Sequence, residues 1–121
     1  MCIRDRYTSV YSGILQNNDP VSTWTTKVQK TKAGGGYHQW HCENGQFLYR
    51  DRVLAWMVYL NTVPSQSGGG TDFLHQKLTL QPEAGTIVLW PASYTHVHRG
   101  GFLTGNVDKY IATGWFIREP T

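Results

Sequence analysis

Residues 53–61, VLAWMVYLN, are almost continuously apolar and are rich in residues that favour β-strands. A strand with apolar side chains on both of its faces is typical of the middle of a core and not of a surface. The sequence therefore predicts that this stretch is a strand running through the centre of the molecule.

Shorter β-like segments lie on both sides of this stretch along the chain, and glycine and proline separate them. Alternating residues predict a half-exposed strand over residues 24–32, and a second strand over residues 37–43 follows three glycines. After a flexible loop at residues 64–70, strands are predicted over residues 71–74, 77–81, 86–90, 95–98 and 108–118, with a turn at residues 82–85. Roughly eight strands with frequent turns are typical of a jelly roll or sandwich. We therefore predict an all-β (mainly β) fold.

The composition is that of one compact domain with no marked preference for a partner. The chain has 121 residues, of which 40% are hydrophobic and 16% are charged, so it can bury a core. Its net charge of +3 is spread along the chain and does not form the basic cluster of a nucleic-acid-binding protein. Cys2 and Cys42 lack a paired spacing, so we expect both to be free thiols.

The first 20 residues differ in pattern from the rest. Met1–Arg6, MCIRDR, resembles a translated sequencing-adapter run, which would make the chain a fragment whose natural start lies upstream. We expect little or no N-terminal helix, with a short remnant over residues 11–15, and a core domain over residues 21–121. No apolar run reaches the roughly 20 residues of a membrane span, and no signal-peptide pattern is present, so we predict a cytoplasmic protein that does not bind membranes.

The histidines carry the clearest chemical signal. Residues two apart on a strand point to the same face, so His41 and Glu43 would present an imidazole and a carboxylate side by side. These are two of the three ligands of the 2-His-1-carboxylate triad that holds non-heme Fe(II). His96 or His98 would supply the third ligand from a distant strand. A His-x-Glu pattern is also frequent by chance, so the spacing alone leaves a purely structural role open.

Five motifs occur in order over residues 28–117. They are GGYHQWHCEN at residues 35–44, RVLAWMVYLN at 52–61, GGGTDF at 68–73, LQPEAGTIVLWP at 80–91, and THVHRGG at 95–101 followed by KYIATGWF at 109–116. Together they resemble the prolyl 4-hydroxylase-like branch of the Fe(II)- and 2-oxoglutarate-dependent oxygenases. The resemblance implies a double-stranded β-helix, a jelly-roll or cupin-like core, and an oxidoreductase that hydroxylates a C–H bond and releases succinate and CO2.

The resemblance also implies roles for individual residues. His41, Glu43 and His98 would be the catalytic metal ligands, with His96 as the rival of His98 for the third position. Lys109 and Tyr59 would bind 2-oxoglutarate. Fe(II) and 2-oxoglutarate are thus the expected cofactor and co-substrate, O2 is the second co-substrate, and L-ascorbate is an optional addition.

The substrate is left open by the resemblance. Prolyl residues of a peptide are the namesake substrate, and free amino acids and other small molecules are alternatives. Nucleobases are disfavoured, because the last strand lacks the multi-arginine motif of the nucleic-acid demethylases of the superfamily. Arg52 would either contact substrate or co-substrate or end its strand in solvent, and the tryptophans are expected to form core or pocket walls.

Two other functional readings compete with this one. A cupin-type metal enzyme that does not use 2-oxoglutarate would need a His-x-His cluster, whereas His38 and His41 are three residues apart and face opposite sides of a strand. A metal-free binding module with the same fold is the other alternative. It is kept open by Glu43, which stands where the family usually has aspartate.

Overall fold

The computed structural model describes residues 3–14 and 21–119. Within these residues it contains one α-helix and seven β-strands. They are α1 (Ile3–Val10), β1 (Val21–Thr31), β2 (Arg52–Tyr59), β3 (Thr71–Phe73), β4 (Leu78–Leu80), β5 (Ile87–Pro91), β6 (His98–Gly100) and β7 (Lys109–Arg118). Single turns of 3-10 helix occur at residues 12–14 and at Phe47–Tyr49, Ser65–Ser67 and Tyr94–His96.

The strands form two antiparallel sheets. The larger sheet has the order β1-β7-β2-β5 and the smaller sheet has the order β4-β3-β6. The main hydrophobic cluster takes side chains from both sheets, among them Met57 of β2 and Phe73 of β3. The core therefore lies between two facing sheets, and the predicted mainly β architecture is confirmed.

Strand β2 has the central place that the sequence predicts. It pairs with β7 on one side and with β5 on the other. Ala55, Met57 and Tyr59 point into the space between the sheets and are at most 5% exposed. Leu54 points to the opposite face, where it packs with Val21 and Phe116 in a second cluster. Both faces of β2 are therefore covered, which explains its nearly unbroken apolar sequence.

The N-terminal helix lies earlier in the chain than the sequence predicts. The expected helical remnant over residues 11–15 is confirmed in part, because residues 12–14 form a turn of 3-10 helix, while Leu15 lies outside the described residues. Tyr7 and Ile14 pack against the second cluster on the outer face of the larger sheet. Burial of these two side chains accounts for the position of this segment, since its sequence has no strong helical period.

The predicted strand over residues 37–43 is wrong, and it is the largest difference between the predicted and the observed secondary structure. Only His41 forms a bridge, with His98, through hydrogen bonds of 3.0 and 2.9 Å in both directions. The next contact joins Gly100 N–H to the Tyr37 carbonyl oxygen at 2.7 Å. Two steps along β6 therefore correspond to four steps along this segment, and the two extra residues force it out of the ladder.

A second predicted strand, immediately before β6, is also wrong for most of its length. Residues 95–98 are predicted as a strand, but Tyr94–His96 form a 3-10 turn and the strand begins only at His98. The turn is closed by a hydrogen bond of 3.0 Å from His96 N–H to the Ser93 carbonyl oxygen. The two histidines therefore lie in different local structures, although they are only two residues apart.

The structure bears on the expected free thiols and on the expected lack of a membrane-spanning helix. Cys42 is a free, partly buried thiol, as predicted, while Cys2 lies outside the described residues. Within residues 3–14 and 21–119, no helix combines the length and hydropathy that a membrane crossing requires.

Candidate metal centre

Three potential ligands meet at the edge of the space between the sheets. Nε2 of His98 lies 2.9 Å from Oε1 of Glu43, and Nε2 of His41 lies 3.3 Å from the same oxygen. One ligand atom from each residue lies within 4.8 Å of the others. Atoms about 3 Å apart have the spacing expected when each lies about 2.1 Å from one ion at right angles. The three residues could therefore hold one divalent cation.

Main-chain carbonyl groups orient both imidazole rings. Nδ1 of His41 donates to the Gln39 carbonyl oxygen at 2.9 Å, and Nδ1 of His98 donates to the His96 carbonyl oxygen at 2.8 Å. Because a carbonyl oxygen only accepts, each Nδ1 carries a proton and each Nε2 is turned toward Glu43. This arrangement, in which the second ring nitrogen is held by a hydrogen bond, is typical of metal-binding histidines.

Glu43 occupies a turn and does not lie on a strand. Its backbone N–H donates to the Ala92 carbonyl oxygen at 2.8 Å, and the next backbone N–H, that of Asn44, donates to the same oxygen at 3.1 Å. This double contact fixes the start of the side chain. The convergence of His41 and Glu43 is thus present, but the turn brings it about and not the alternation of a strand.

The Glu43 carboxylate is ionised and fully hydrogen-bonded. Burial alone raises the pKa of Glu43, but hydrogen bonds from His41, His98 and Trp115 outweigh it and hold this pKa well below its ordinary value. Burial likewise lowers the pKa of His41, but its hydrogen bonds with Glu43 and the Gln39 carbonyl raise it overall. A cation bound here would replace the Nε2 protons that the imidazoles share with Glu43 and would balance the charge of the carboxylate.

His96 lies outside this cluster. Its Nδ1 shares a hydrogen bond of 2.9 Å with the Thr95 hydroxyl, and its pKa is lowered by burial and by the neighbouring His98 and His75. His98 is buried, with 5% of its surface exposed. His96 lies on the preceding 3-10 turn, none of whose residues is buried. Of the two candidates for the third ligand, the structure brings His98 next to Glu43.

A cavity of about 370 Å³ opens from the three ligands into the space between the sheets, and Lys109 lines it. Lys109 is 6% exposed, and its Nζ donates to the Gly69 carbonyl oxygen at 2.6 Å. Burial lowers the pKa of this lysine. Among the described residues no carboxylate is paired with it. The cavity therefore contains a buried ammonium group that pairs with no anion of residues 3–14 and 21–119.

Tyr59 lies beside this lysine but behind the cavity wall. It is 0% exposed, and the Lys109 ammonium lies 5.9 Å from the centre of its ring. Its hydroxyl shares a hydrogen bond of 2.7 Å with the Thr71 hydroxyl and donates to the Leu80 carbonyl oxygen at 3.2 Å. Thr71 lines the cavity, whereas Tyr59 does not. The predicted pair is thus close in space, with Thr71 between Tyr59 and the cavity.

Trp115 and Arg52 also contact Glu43. The sequence did not predict this contact for Trp115, and it left the role of Arg52 open. Trp115 belongs to the main core cluster, as expected for a wall residue, but its Nε1 also donates to Oε2 of Glu43 at 2.7 Å. Arg52 does not end in solvent, because its Nη1 lies 3.4 Å from the same oxygen. The alternation of side chains along β7 could have indicated that Trp115 lies near the site. Residues 109, 111, 113 and 115 share one face of this strand, and all of them line the cavity.

The donor set fits iron. Two imidazole nitrogens and one carboxylate oxygen on one side of an ion form the facial triad of non-heme Fe(II) oxygenases, which leaves the remaining coordination positions open. The open side faces the cavity that contains Lys109. An anionic co-substrate that reaches both the metal and the ammonium group would fit this geometry.

Solved structures of prolyl hydroxylases have the same fold. The viral collagen prolyl hydroxylase of Paramecium Bursaria Chlorella virus-1 is 22% identical with a TM-score of 0.71, over 96% of this chain and 73% of the viral one. The prolyl-4-hydroxylase of Pseudomonas putida is 21% identical with a TM-score of 0.69, over 93% and 63% of the two chains. The prolyl hydroxylase of Trichoplax adhaerens, solved with a peptide fragment of the hypoxia inducible factor oxygen degradation domain, is 21% identical with a TM-score of 0.72, over 96% and 56%. The predicted double-stranded β-helix is confirmed.

The family itself is shown by the sequence. No curated protein matches the chain significantly. The model of the 2OG-Fe(II) oxygenase superfamily, however, matches residues 26–117, which is most of the chain and nearly the range over which the five motifs occur. The chain therefore belongs to the 2OG-Fe(II) oxygenase superfamily and is a 2-oxoglutarate-dependent dioxygenase, as its motifs predict.

Proposed function

We propose that the chain hydroxylates a C–H bond of a prolyl-containing peptide or a small molecule, with Fe(II) held by His41, Glu43 and His98. The observation that carries this proposal is the cluster of these three side chains, with ligand atoms within 4.8 Å of one another, at a cavity that contains the buried Lys109. Bound iron, together with 2-oxoglutarate and O2, would supply the oxidising chemistry and release succinate and CO2.

Lys109 is proposed to bind the distal carboxylate of 2-oxoglutarate. A buried ammonium group destabilises a protein unless an anion neutralises it, and a buried dicarboxylate needs a cation for the same reason. Lys109 is held by the Gly69 carbonyl oxygen, which fixes the position of the ammonium but leaves its charge uncompensated. A co-substrate carboxylate would compensate that charge and would in turn be held in a defined direction toward the metal.

Tyr59 is proposed to assist Lys109. With a carboxylate bound, the Tyr59 hydroxyl would donate its proton to the Thr71 hydroxyl at 2.7 Å, in place of the longer contact of 3.2 Å to the Leu80 carbonyl oxygen, which frees the Thr71 proton. Since Thr71 lines the cavity, it can pass the effect of Tyr59 to a bound carboxylate. This pair would add hydrogen-bonding specificity to the charge of Lys109.

The other contribution of the chain is positioning and shielding. His41 and His98 are held through their Nδ1 atoms, so their Nε2 atoms point to one place. Apolar side chains such as Met57 and Ile111 line the cavity around the proposed co-substrate site. A preorganised site strengthens electrostatic interactions with the bound co-substrate.

The substrate class is the least specified part of the proposal. Prolyl hydroxylases are among the structures with the same fold, and the Trichoplax adhaerens enzyme was solved with a peptide fragment. A peptide substrate is therefore proposed first and a small molecule second. A cupin-type reaction is not favoured, because the His38 ring stacks on Phe102 at 5.4 Å and does not join the ligand cluster.

The test is a turnover assay. The chain is purified anaerobically, supplied with Fe(II), and exposed to O2 and 2-oxoglutarate with and without L-ascorbate, and succinate is measured. We expect succinate from the unmodified chain and none from the His41→Ala variant. Iron binding without any consumption of 2-oxoglutarate would favour the cupin-type alternative, and absence of iron binding would contradict both metal-dependent readings.

A further inference from the structure

The Glu43 carboxylate is held on both of its oxygens, and each oxygen has different partners. Oε1 faces the two imidazole Nε2 atoms, at 2.9 Å from His98 and 3.3 Å from His41. Oε2 faces the opposite way, toward Nε1 of Trp115 at 2.7 Å and Nη1 of Arg52 at 3.4 Å. Only one oxygen is therefore directed to the place that a cation would take.

We infer that Trp115 and Arg52 are positioning residues that hold Oε2 of Glu43 away from the metal and make the carboxylate a ligand through Oε1 alone. This inference rests on the proposed function, because it concerns the mode in which Glu43 would bind iron. It adds two residues of this chain to the three proposed ligands.

The position of Arg52 is itself fixed. Its guanidinium lies between two aromatic rings, 4.0 Å from the centre of the Tyr49 ring and 3.7 Å from the centre of the Trp115 ring. Its Nη1 also lies 3.3 Å from the Glu43 carbonyl oxygen. Stacking on two rings suits the planar guanidinium and would not suit a lysine. Arg52 thus contacts both the backbone and the side chain of Glu43 from a rigid position.

A glutamate ligand needs more restraint than an aspartate ligand, and the contacts from Trp115 and Arg52 to Oε2 provide it. Glutamate has one more rotatable bond than aspartate, so an unrestrained Glu43 side chain could turn both oxygens to the metal. A second bound oxygen would occupy a position that the facial triad leaves open for co-substrates. The hydrogen bond from Trp115 and the contact from Arg52 restrain this rotation.

The restraint on Oε2 can be tested by shortening the Glu43 side chain. The backbone at residue 43 is anchored to the Ala92 carbonyl oxygen, so Glu43→Asp would withdraw the carboxylate by about 1.5 Å, the length of one carbon–carbon bond. A hydrogen bond of 2.7 Å to Trp115 would then exceed hydrogen-bonding distance. In the Glu43→Asp background, Trp115 should therefore no longer influence the metal.

The experiment is a double-mutant cycle read by Co(II) affinity, which needs no substrate and no turnover. Trp115→Phe keeps the ring that Arg52 stacks on and removes only the indole N–H. We expect it to weaken Co(II) binding by about 10- to 100-fold, as loss of a ligand-orienting hydrogen bond typically does. In the Glu43→Asp background, the same substitution should have no further effect. Trp56→Phe, on the opposite face of the larger sheet, is the matched control and should leave the affinity unchanged.

The outcomes separate this inference from the proposed function. An equal loss from Trp115→Phe in both backgrounds, or no loss in either, would overturn the positioning role while the metal site stands. Failure of the unmodified chain to bind Co(II) would overturn the proposed function and this inference together. If Trp115→Phe does not fold, the cycle is run with Arg52→Met, which removes the guanidinium but keeps an apolar stem, and the same two comparisons decide.

Discussion

The buried Lys109 allows a test in which stability and ligand binding change in opposite directions. Lys109→Met keeps the length of the side chain and removes its charge. The ammonium is 6% exposed and has the Gly69 carbonyl oxygen, at 2.6 Å, as its hydrogen-bond acceptor. If the lysine serves to bind an anion, the ligand-free variant should be at least as stable as the unmodified chain, and it should lose the response to 2-oxoglutarate.

The size of the effect follows from two opposing terms. Desolvation of an unpaired ammonium disfavours folding by several kcal/mol, whereas its charge-assisted hydrogen bond returns about 1.5–3 kcal/mol. We expect Lys109→Met to raise the free energy of unfolding by roughly 1–2 kcal/mol, which corresponds to a Tm about 4–8 °C higher. Because burial lowers the pKa of Lys109, the gain should be fully present at a pH below that lowered pKa, where the lysine is charged. It should shrink as pH rises through that lowered pKa toward the ordinary value of lysine.

The assay is thermal unfolding with and without 2-oxoglutarate in the presence of Mn(II) as a redox-inert metal. At a ligand concentration of about 100 times Kd, the unmodified chain should gain about 2.7 kcal/mol, and Lys109→Met should gain little. Lys30→Met is the matched control, because Lys30 is an exposed lysine of β1 that pairs with Asp108. A 2-oxoglutarate response that survives in Lys109→Met would refute the proposed role of this lysine.

Three further predictions concern the ligands and the co-substrate site. His98→Ala should abolish Fe(II) binding in a calorimetric titration, whereas His96→Ala should retain it; the reverse result would make His96 the third ligand. Tyr59→Phe should weaken 2-oxoglutarate binding and lower the free energy of unfolding by about 1–3 kcal/mol, because it leaves buried polar partners unsatisfied; unchanged denaturant midpoints and affinity would contradict this. Gly69 has a φ of +74°, and an added Cβ would lie 2.8 Å from Cδ1 of Leu103. Gly69→Ala should therefore destabilise the chain by about 1–3 kcal/mol and disturb the anchor of the lysine, and a Tm equal to that of the unmodified chain would contradict the strain argument.

The sequence predicts best where a local pattern and burial act together. The stretch that becomes β2 is apolar on both faces and is the centre of the larger sheet, between β5 and β7. The same agreement holds for β7, whose inward positions place Lys109 and Trp115 on one face. The sequence does not predict the hydrogen bond from Trp115 to Glu43, because it joins residues 72 positions apart, which no local period encodes.

The segment that carries His41 and Glu43 shows the opposite case. The sequence predicts a strand over residues 37–43, but the ladder with β6 has to absorb two extra residues between Tyr37 and His41. Register across sheets depends on partners that a single segment does not contain. The predicted proximity of the two side chains is nevertheless present, because the turn at Glu43 brings its carboxylate back toward His41.

The proposed iron site is tested most directly by an anaerobic absorption titration of the chain with Fe(II) and 2-oxoglutarate. A keto acid that chelates Fe(II) in the site should produce a visible charge-transfer band that requires the metal, the co-substrate and the protein together. We expect this band in the unmodified chain and its absence in His98→Ala at equal concentrations. Absence of the band in the unmodified chain, or an equal band in His98→Ala, would contradict the claim that His41, Glu43 and His98 form the iron site.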